Sequence, residues 1–388
     1  MNAPRKISVV TGSRADYGLL HCLIDALHQS PDFQLQLVVT GMHMSPHFGL
    51  TLNDIVQDGF PITAKVPMLV SGDDAQSITK SLGLGVIGFA DTWQQLQPDI
   101  IMVLGDRYEI LAAAQAAMIF AIPLAHIAGG DTTQGAFDEA IRHSITKMSH
   151  LHFVTNHQAA KRVQQLGENP ETIYNVGSPG IDNIKQTSLL TQQELETSLS
   201  FTLKKTNFLI TYHPETLAQQ TTVHEFNELL AALATFDDST GLIFTQANAD
   251  NAGAKINALL ENFVSRHANA IAFVSLGAQR YYSALSYVDA VIGNSSSGLY
   301  EAPTFHKPTI NIGQRQAGRL AASSVLHCDG TQSAILSAIA QARNMDCSTV
   351  INPYGDGKTC PRIISILKTI KQPKNLLKKV FFDYETSL

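Results

Sequence analysis

The sequence predicts an α/β protein of two successive doubly wound domains, and three observations predict it. Short apolar runs closed by Gly, Pro, Asp or Asn alternate with longer amphipathic stretches, which is the rhythm of a parallel sheet covered by helices. The rhythm runs through once, breaks, and runs through again. At the break, residues 186–206 read "QTSLLTQQELETSLSFTLKKT", with a helix but no buried-strand run. A chain of 388 residues is long enough to give each half its own hydrophobic core.

In the first half the strand runs are "ISVVTG" (7–12), "FQLQLVVTG" (33–41), "DIIMVLGD" (99–106), "IPLAHIAGG" (122–130), "LHFVTN" (151–156) and a short "TIYNVGSP" (172–179). Helical spacing lies between them, with the first helix beginning near Tyr17. In the second half "NFLITYHP" (207–214), "GLIFTQAN" (241–248), "AIAFVSL" (270–276), "DAVIGNSS" (289–296) and "PTINIG" (308–313) repeat the pattern. These runs set the expected domains at 1–185 and 186–365. The tail is helical in period up to Pro373 and then resumes, so residues 366–388 are expected to pack back on the first domain.

Composition excludes several classes of function. Apolar residues make up 44% and charged residues 15%, the profile of a packed globular protein. The formal net charge of −6 argues against a nucleic-acid partner, while a local anion pocket stays open. Four cysteines lack C-x-x-C spacing, so reduced thiols are expected rather than a disulfide framework or a zinc site. No secretory or transmembrane stretch is legible, and a cytoplasmic protein without a membrane partner is the expectation.

Ligands of doubly wound sheets bind beyond the carboxyl ends of the strands, so the residues just after each apolar run carry the candidate chemistry. "GNSSSGLYEAP" (293–303) puts Ser295, Ser296, Ser297 and Gly298 at such an end. A Gly-Asn-Ser turn with free N–H groups suits an anion, and Glu301 suits a sugar diol, so a nucleotide meets both. In "TGSRADYGLL" (11–20), Arg14 can pair with a diphosphate, or locally with Asp16. The stretch is not a G-x-G-x-x-G fingerprint, which disfavours a nicotinamide cofactor.

Asp106 follows a buried run directly in "VLGDRYE", where a charge either caps the next helix or serves a cleft. Glu109, three residues on, fits a capping box. The segment 126–153 is the densest in polar residues, with Asp131, Asp138, Glu139, Arg142, His143 and Lys147, and with Glu139–His143 at a four-residue helical step. His143, His150 and His152 follow no metal-ligand spacing, and no metal is expected. His213, in "TYHPET", ends the first strand of the second domain, where it can bridge phosphate or protonate a leaving group.

Taken in order, "SRADYGLL", "LGDRYE", "GGD…DE.IRHSITKMSHLHF", "VGSPGID", "TYHPE" and "GNSSSGLYEAP" resemble the hydrolysing UDP-N-acetylglucosamine 2-epimerases, from Ile7 to about Ile370. The resemblance implies two Rossmann-like domains of the glycosyltransferase-B type with a UDP-linked sugar in the interdomain cleft. It also implies no cofactor and a homo-oligomer, a dimer or tetramer. The serine turn and Arg14 would hold the diphosphate, Glu301 the ribose, and Asp106, Asp131, Asp138, Glu139 and His213 would supply the chemistry. The implied reaction removes the C2 proton and expels the nucleotide from C1. Water then adds to the resulting glycal with inversion, which leaves a free manno-configured sugar for nonulosonic acid synthesis.

One departure bears on the substrate. Many members carry Glu after "GG" and a bulkier residue at position 128, whereas this chain has Asp131 and Ala128. A UDP-2,4-diacetamido-2,4,6-trideoxy sugar therefore stands beside UDP-N-acetylglucosamine as the expected substrate. The alternatives are a non-hydrolysing epimerase, a glycosyltransferase of the same fold, and a nucleotide-sugar sensor without turnover.

Overall fold

The computed structural model describes residues 3–46, 49–72, 74–132, 138–214, 219–247 and 253–383. The chain forms two units, one of Met1–Lys185 with Tyr354–Leu388 and one of Gln186–Pro353.

Among the described residues the first unit builds a seven-stranded parallel sheet from β1 (Arg5–Thr11), β2 (Phe33–Thr40), β3 (Ile62–Val66), β4 (Ile100–Leu104), β5 (Leu124–Ile127), β6 (Leu151–Val154) and β7 (Ile173–Asn175). Their order is β3-β2-β1-β4-β5-β6-β7, so the winding reverses between β1 and β4. Every residue of β4 is buried. Ile100, Met102 and Leu104 join one core while Ile101 and Val103 join the other, the two-residue alternation of a strand covered on both faces.

One core is closed by Leu20, Leu23, Ile24 and Leu27 of the helix Arg14–Gln29, at helical spacing. The other is closed by the helices Ala75–Leu96 and Tyr108–Ile119, where Phe89 and Trp93 meet a run of alanines small enough to let the two helices approach.

The second unit has six strands, β8 (Thr206–Thr211), β9 (Thr240–Thr245), β10 (Ala270–Phe273), β11 (Ala290–Gly293), β12 (Thr309–Ile312) and β13 (Val325–Cys328), in the order β10-β9-β8-β11-β12-β13. Its reversal falls between β8 and β11. Phe208 and Ile210 face one core and Leu209 the other.

β3 and β13 have no counterpart among the sequence runs. Both are edge strands, and β3 alternates half-buried and exposed residues up to Val66, so neither shows a continuous apolar run.

The chain regroups with the first unit at Tyr354, ahead of the expected position 366. Ser178 N–H donates to the Tyr354 carbonyl over 2.6 Å, and a Cβ on Gly177 would lie 3.2 Å from the Gly355 Cα, so two glycines let the segments meet. The helix Thr359–Thr369 then lays Cys360, Ile363 and Leu367 into the core beside the first helix. Buried Asp182 caps it, accepting from Thr359 N–H at 2.9 Å and Cys360 N–H at 3.1 Å.

Cys22, Asp182 and Cys360 are the single metal-capable cluster found among the described residues. Asp182 is already committed to the cap, and the hydrogen bond with Cys22, together with burial, pushes the Cys360 thiol up. No helix among the described residues is long and apolar enough to cross a membrane.

Asp182→Ala should cost about 2 kcal/mol through the lost cap. Urea unfolding followed by fluorescence of Trp93, the one tryptophan and a core residue of the first unit, reads that transition; an unchanged midpoint would remove the cap from the account.

Candidate functional site

In the first unit the carboxylates collect at the carboxyl ends of β4, β5 and β6. Gly105, at φ 77°, turns the chain out of β4 and leaves Asp106 on the crest, its side chain 24% exposed. Asp106 does not cap the next helix. Arg107 is the N-cap residue and makes no side-chain cap bond, so the capping-box alternative is overturned.

Asp106 instead forms a very short ion pair with Arg142 Nη2. The same guanidinium donates through Nη1 to the Asp131 carbonyl at 2.7 Å. Arg142 is 6% exposed, and it sits on the helix Asp138–Met148, one turn after Asp138.

The acids differ in their surroundings. Asp131 accepts from Thr155 Oγ1 at 3.0 Å to each oxygen and from Asn156 Nδ2 at 3.1 Å. Burial raises the Asp138 carboxyl, and neighbouring Asp106 raises it further against Arg107 and Arg142. Glu139 lies 3.7 Å from His143 Nε2, and burial holds that imidazole below its ordinary value. One acid paired to arginine and one pushed toward its protonated form are what an acid–base pair needs.

Arg14 stands apart. Its side chain is 81% exposed and lies 3.9 Å from Asp54. The local pair with Asp16 is absent, because Ser13 caps a helix that starts at Arg14 rather than near Tyr17, and Asp16 turns inward toward Arg107 at 4.0 Å.

The second unit gathers His213, Ser295, Ser297 and Glu301 around a cavity of about 360 Å³ over β8 to β11. Gly293 makes the turn possible: at φ 133°, a Cβ there would lie 1.9 Å from the Thr211 carbonyl oxygen, so no other residue fits. Asn294, fully buried, donates to the His213 carbonyl at 2.8 Å and accepts from its N–H at 2.7 Å, which ties the serine turn to the histidine loop. Ser297 Oγ donates to Glu301 in a very short bond and accepts from Tyr281 OH at 2.6 Å. Burial raises the Glu301 carboxyl, with Ser297 opposing. Ser296 stands at the N-cap position of the short turn Ser297–Tyr300 without a side-chain cap bond, Gly298 is buried against Thr309, and neither is among the residues lining the cavity.

Glu215 lies outside the described residues. Several participants carried no assigned role at the level of sequence. In the sequence Arg142 stands only among the polar residues of 126–153, and Tyr281 gives no signal at all. Arg107 is bracketed by fully buried Glu109 at 2.7 Å and by Asp16.

Burial pushes the Asp16 carboxyl up to about 6, with Arg107 opposing it. Between the ordinary value of 3.8 and about 6 the folded chain holds a proton that the unfolded chain has released, so stability falls as pH rises through that window. Asp16→Asn should therefore raise the urea midpoint more at pH 8 than at pH 4, and an equal change at both would contradict the raised value.

Residues 25–368 match the UDP-N-acetylglucosamine 2-epimerase family. The GDP/UDP-N,N'-diacetylbacillosamine 2-epimerase (hydrolyzing) of Campylobacter jejuni is 44% identical over 83% of this chain and 84% of its own length. The UDP-N,N'-diacetylbacillosamine 2-epimerase (hydrolyzing) of Legionella pneumophila is 36% identical over 97% and 98%. The crystal structure of the UDP-GlcNAc 2-epimerase of Neisseria meningitidis, bound to UDP-GlcNAc, aligns with a TM-score of 0.79 at 16% identity, over 94% of this chain and 100% of that one. The likeness in structure shows the fold, two Rossmann-like units of the glycosyltransferase-B type. By the match along its length and by its relatives, the chain belongs to the UDP-N-acetylglucosamine 2-epimerase family.

Proposed function

We propose that this protein is a hydrolysing 2-epimerase that converts a UDP-linked 2-acetamido sugar and water into UDP and a free manno-configured sugar, for nonulosonic acid synthesis. The observation that carries the reading is the pairing of Asp106 with Arg142 beside Asp138, whose carboxyl is raised. Removing a weakly acidic C2 proton calls for a carboxylate held in one place and partly shielded from water. Asp106 or Glu139 takes that role, and Asp138 or Asp131 supplies the proton transfers of glycal hydration. Thr155 and Asn156 fix Asp131 in a single orientation.

The nucleotide goes to the second unit. His213 and Ser295 line the cavity and, with Ser296 of the same turn, offer donors to the diphosphate, where developing charge on the leaving group has to be met, and Glu301 accepts from the ribose hydroxyls. Arg14, exposed in the first unit, is kept as a diphosphate ligand on the strength of the motif "SRADYG". For the sugar we favour the 2,4-diacetamido-2,4,6-trideoxy form. Its support is the naming of the two relatives and the small Ala128, which stands at φ 63° where a β-branched side chain would be strained.

Exposed Leu84, Ile87, Met118 and Ile119, on two helices packed together in the first unit, support a homo-oligomer. A nucleotide-sugar substrate supports the cytoplasmic location.

Proton NMR in deuterated buffer tests the reading, with UDP-N-acetylglucosamine, UDP-2,4-diacetamido-2,4,6-trideoxyglucose and its GDP counterpart in separate tubes. Free manno sugar with deuterium at C2 is expected, fastest from the second tube. A manno sugar still joined to its nucleotide would instead identify a non-hydrolysing enzyme. Asp106→Asn should lower turnover about 10²–10⁴-fold with UDP affinity within a factor of two. Ser296→Ala should weaken UDP about 5- to 10-fold and leave kcat nearly unchanged. Near-normal turnover by Asp106→Asn would end the assignment.

A further inference from the structure

The second unit holds another cavity, of about 430 Å³, over β12 and β13. That volume lies within the roughly 300–1,000 Å³ typical of small-molecule sites. One wall is the face of the helix Gln332–Ala342, and the others come from the ends of the two strands and the loop after β12.

The lining speaks to the ligand's charge. It includes no Lys or Arg and it includes Asp329, so phosphates and carboxylates are repelled rather than held. Its polar groups are the amides of Asn311, Gln314 and Gln341, the His327 imidazole and the Ser337 hydroxyl together with that carboxylate, a mixture of donors and acceptors that suits neighbouring hydroxyls. Three alanine side chains give an apolar patch of the size a pyranose ring or an acetyl methyl covers. Asn311 is 1% exposed; its Nδ2 donates to His327 Nδ1 at 3.1 Å, while its Oδ1 is buried without a hydrogen-bond partner. Asn311 and His327 thus fix each other between the two strands that end at the cavity.

The loop after β12 faces two ways. Gln314 and Ala317 line the cavity, whereas their neighbours Arg315 and Gln316 donate to the Asn294 carbonyl at 3.1 and 2.8 Å. Asn294 is the residue that joins the serine turn to His213.

We propose that this cavity is a second carbohydrate site, taking an uncharged monosaccharide such as a free N-acetylhexosamine, and that its occupancy reaches the serine turn and His213 through the loop after β12. The site stands independently of the reaction assigned to the nucleotide cavity.

Calorimetry on the full chain with saturating UDP, titrated with N-acetylmannosamine, tests it. Wild type is expected to bind. Ser337→Trp, which fills the cavity from an exposed helix position, should weaken the sugar at least about tenfold while UDP affinity and turnover stay as they were. By reciprocity, N-acetylmannosamine should shift the Kd of UDP at least about threefold in wild type and not in the variant. Should Ser337→Trp misfold by circular dichroism, Gln341→Ala gives the same reading with a loss of about three- to tenfold.

Absence of binding, equal binding in the variants, an unmoved UDP Kd, or tighter binding of anionic N-acetylneuraminate would each overturn the proposal. Failure of UDP itself to bind would count against the nucleotide reading alone, because the sugar titration can be repeated without it.

Discussion

Arg142 makes the polar crest of the first unit possible. Asp106, Asp131, Asp138 and Glu139 collect beyond adjacent strands, and carboxylates brought that close repel one another unless a cation stands among them or one takes up a proton. The guanidinium answers both needs by its shape. One arm meets the Asp106 carboxylate and the other the Asp131 carbonyl, so a single buried charge fixes two strand ends at once. What remains of the repulsion appears in Asp138, whose carboxyl is raised in part by Asp106. A buried cation is costly when it is left alone, so the helix that carries Arg142 and the loop that carries Asp106 hold each other in position.

The second unit ties its strand ends together through an amide. Asn294 sits fully buried at a strand end, where its amide meets the His213 backbone in both directions and its carbonyl receives Arg315 and Gln316. The crest of the first unit is thus braced by a buried cation and the turn of the second by a buried amide.

The parts legible in the sequence share one property. β4 and β8 read as strands because they are buried on both faces, and Asp106 and the serine turn read as candidates because polar residues directly after such runs stand out. β3 and β13, wetted on one side at the sheet edges, gave no such contrast. Local reasoning also failed where a long-range partner outcompeted a near one. Glu109 has the spacing of a capping box but serves Arg107, and Asp16, two residues from Arg14, turns to Arg107 instead. Tyr281 reaches Ser297 from a separate helix, a contact that no spacing in the chain announces. Tertiary packing decides such pairings, and the six ordered motifs were needed to carry the site beyond its strand ends.

The discontinuity of the first unit has a temporal side. Its core contains Ile363 and Leu367, its sheet is braced by Arg5 donating to the Leu367 carbonyl at 2.6 Å, and Lys379 supplies one of the cations on the buried Glu168. Ile363, Leu367 and Lys379 are made only after the whole of the second unit. The second unit, continuous from Gln186 to Pro353, has all of its strands in hand before then, so vectorial synthesis favours its folding while the earlier-made half still waits for its closing helix. The N-terminal sheet is thereby the later of the two to become whole, and the exposed edges of its unfinished core are the ones a chaperone would meet.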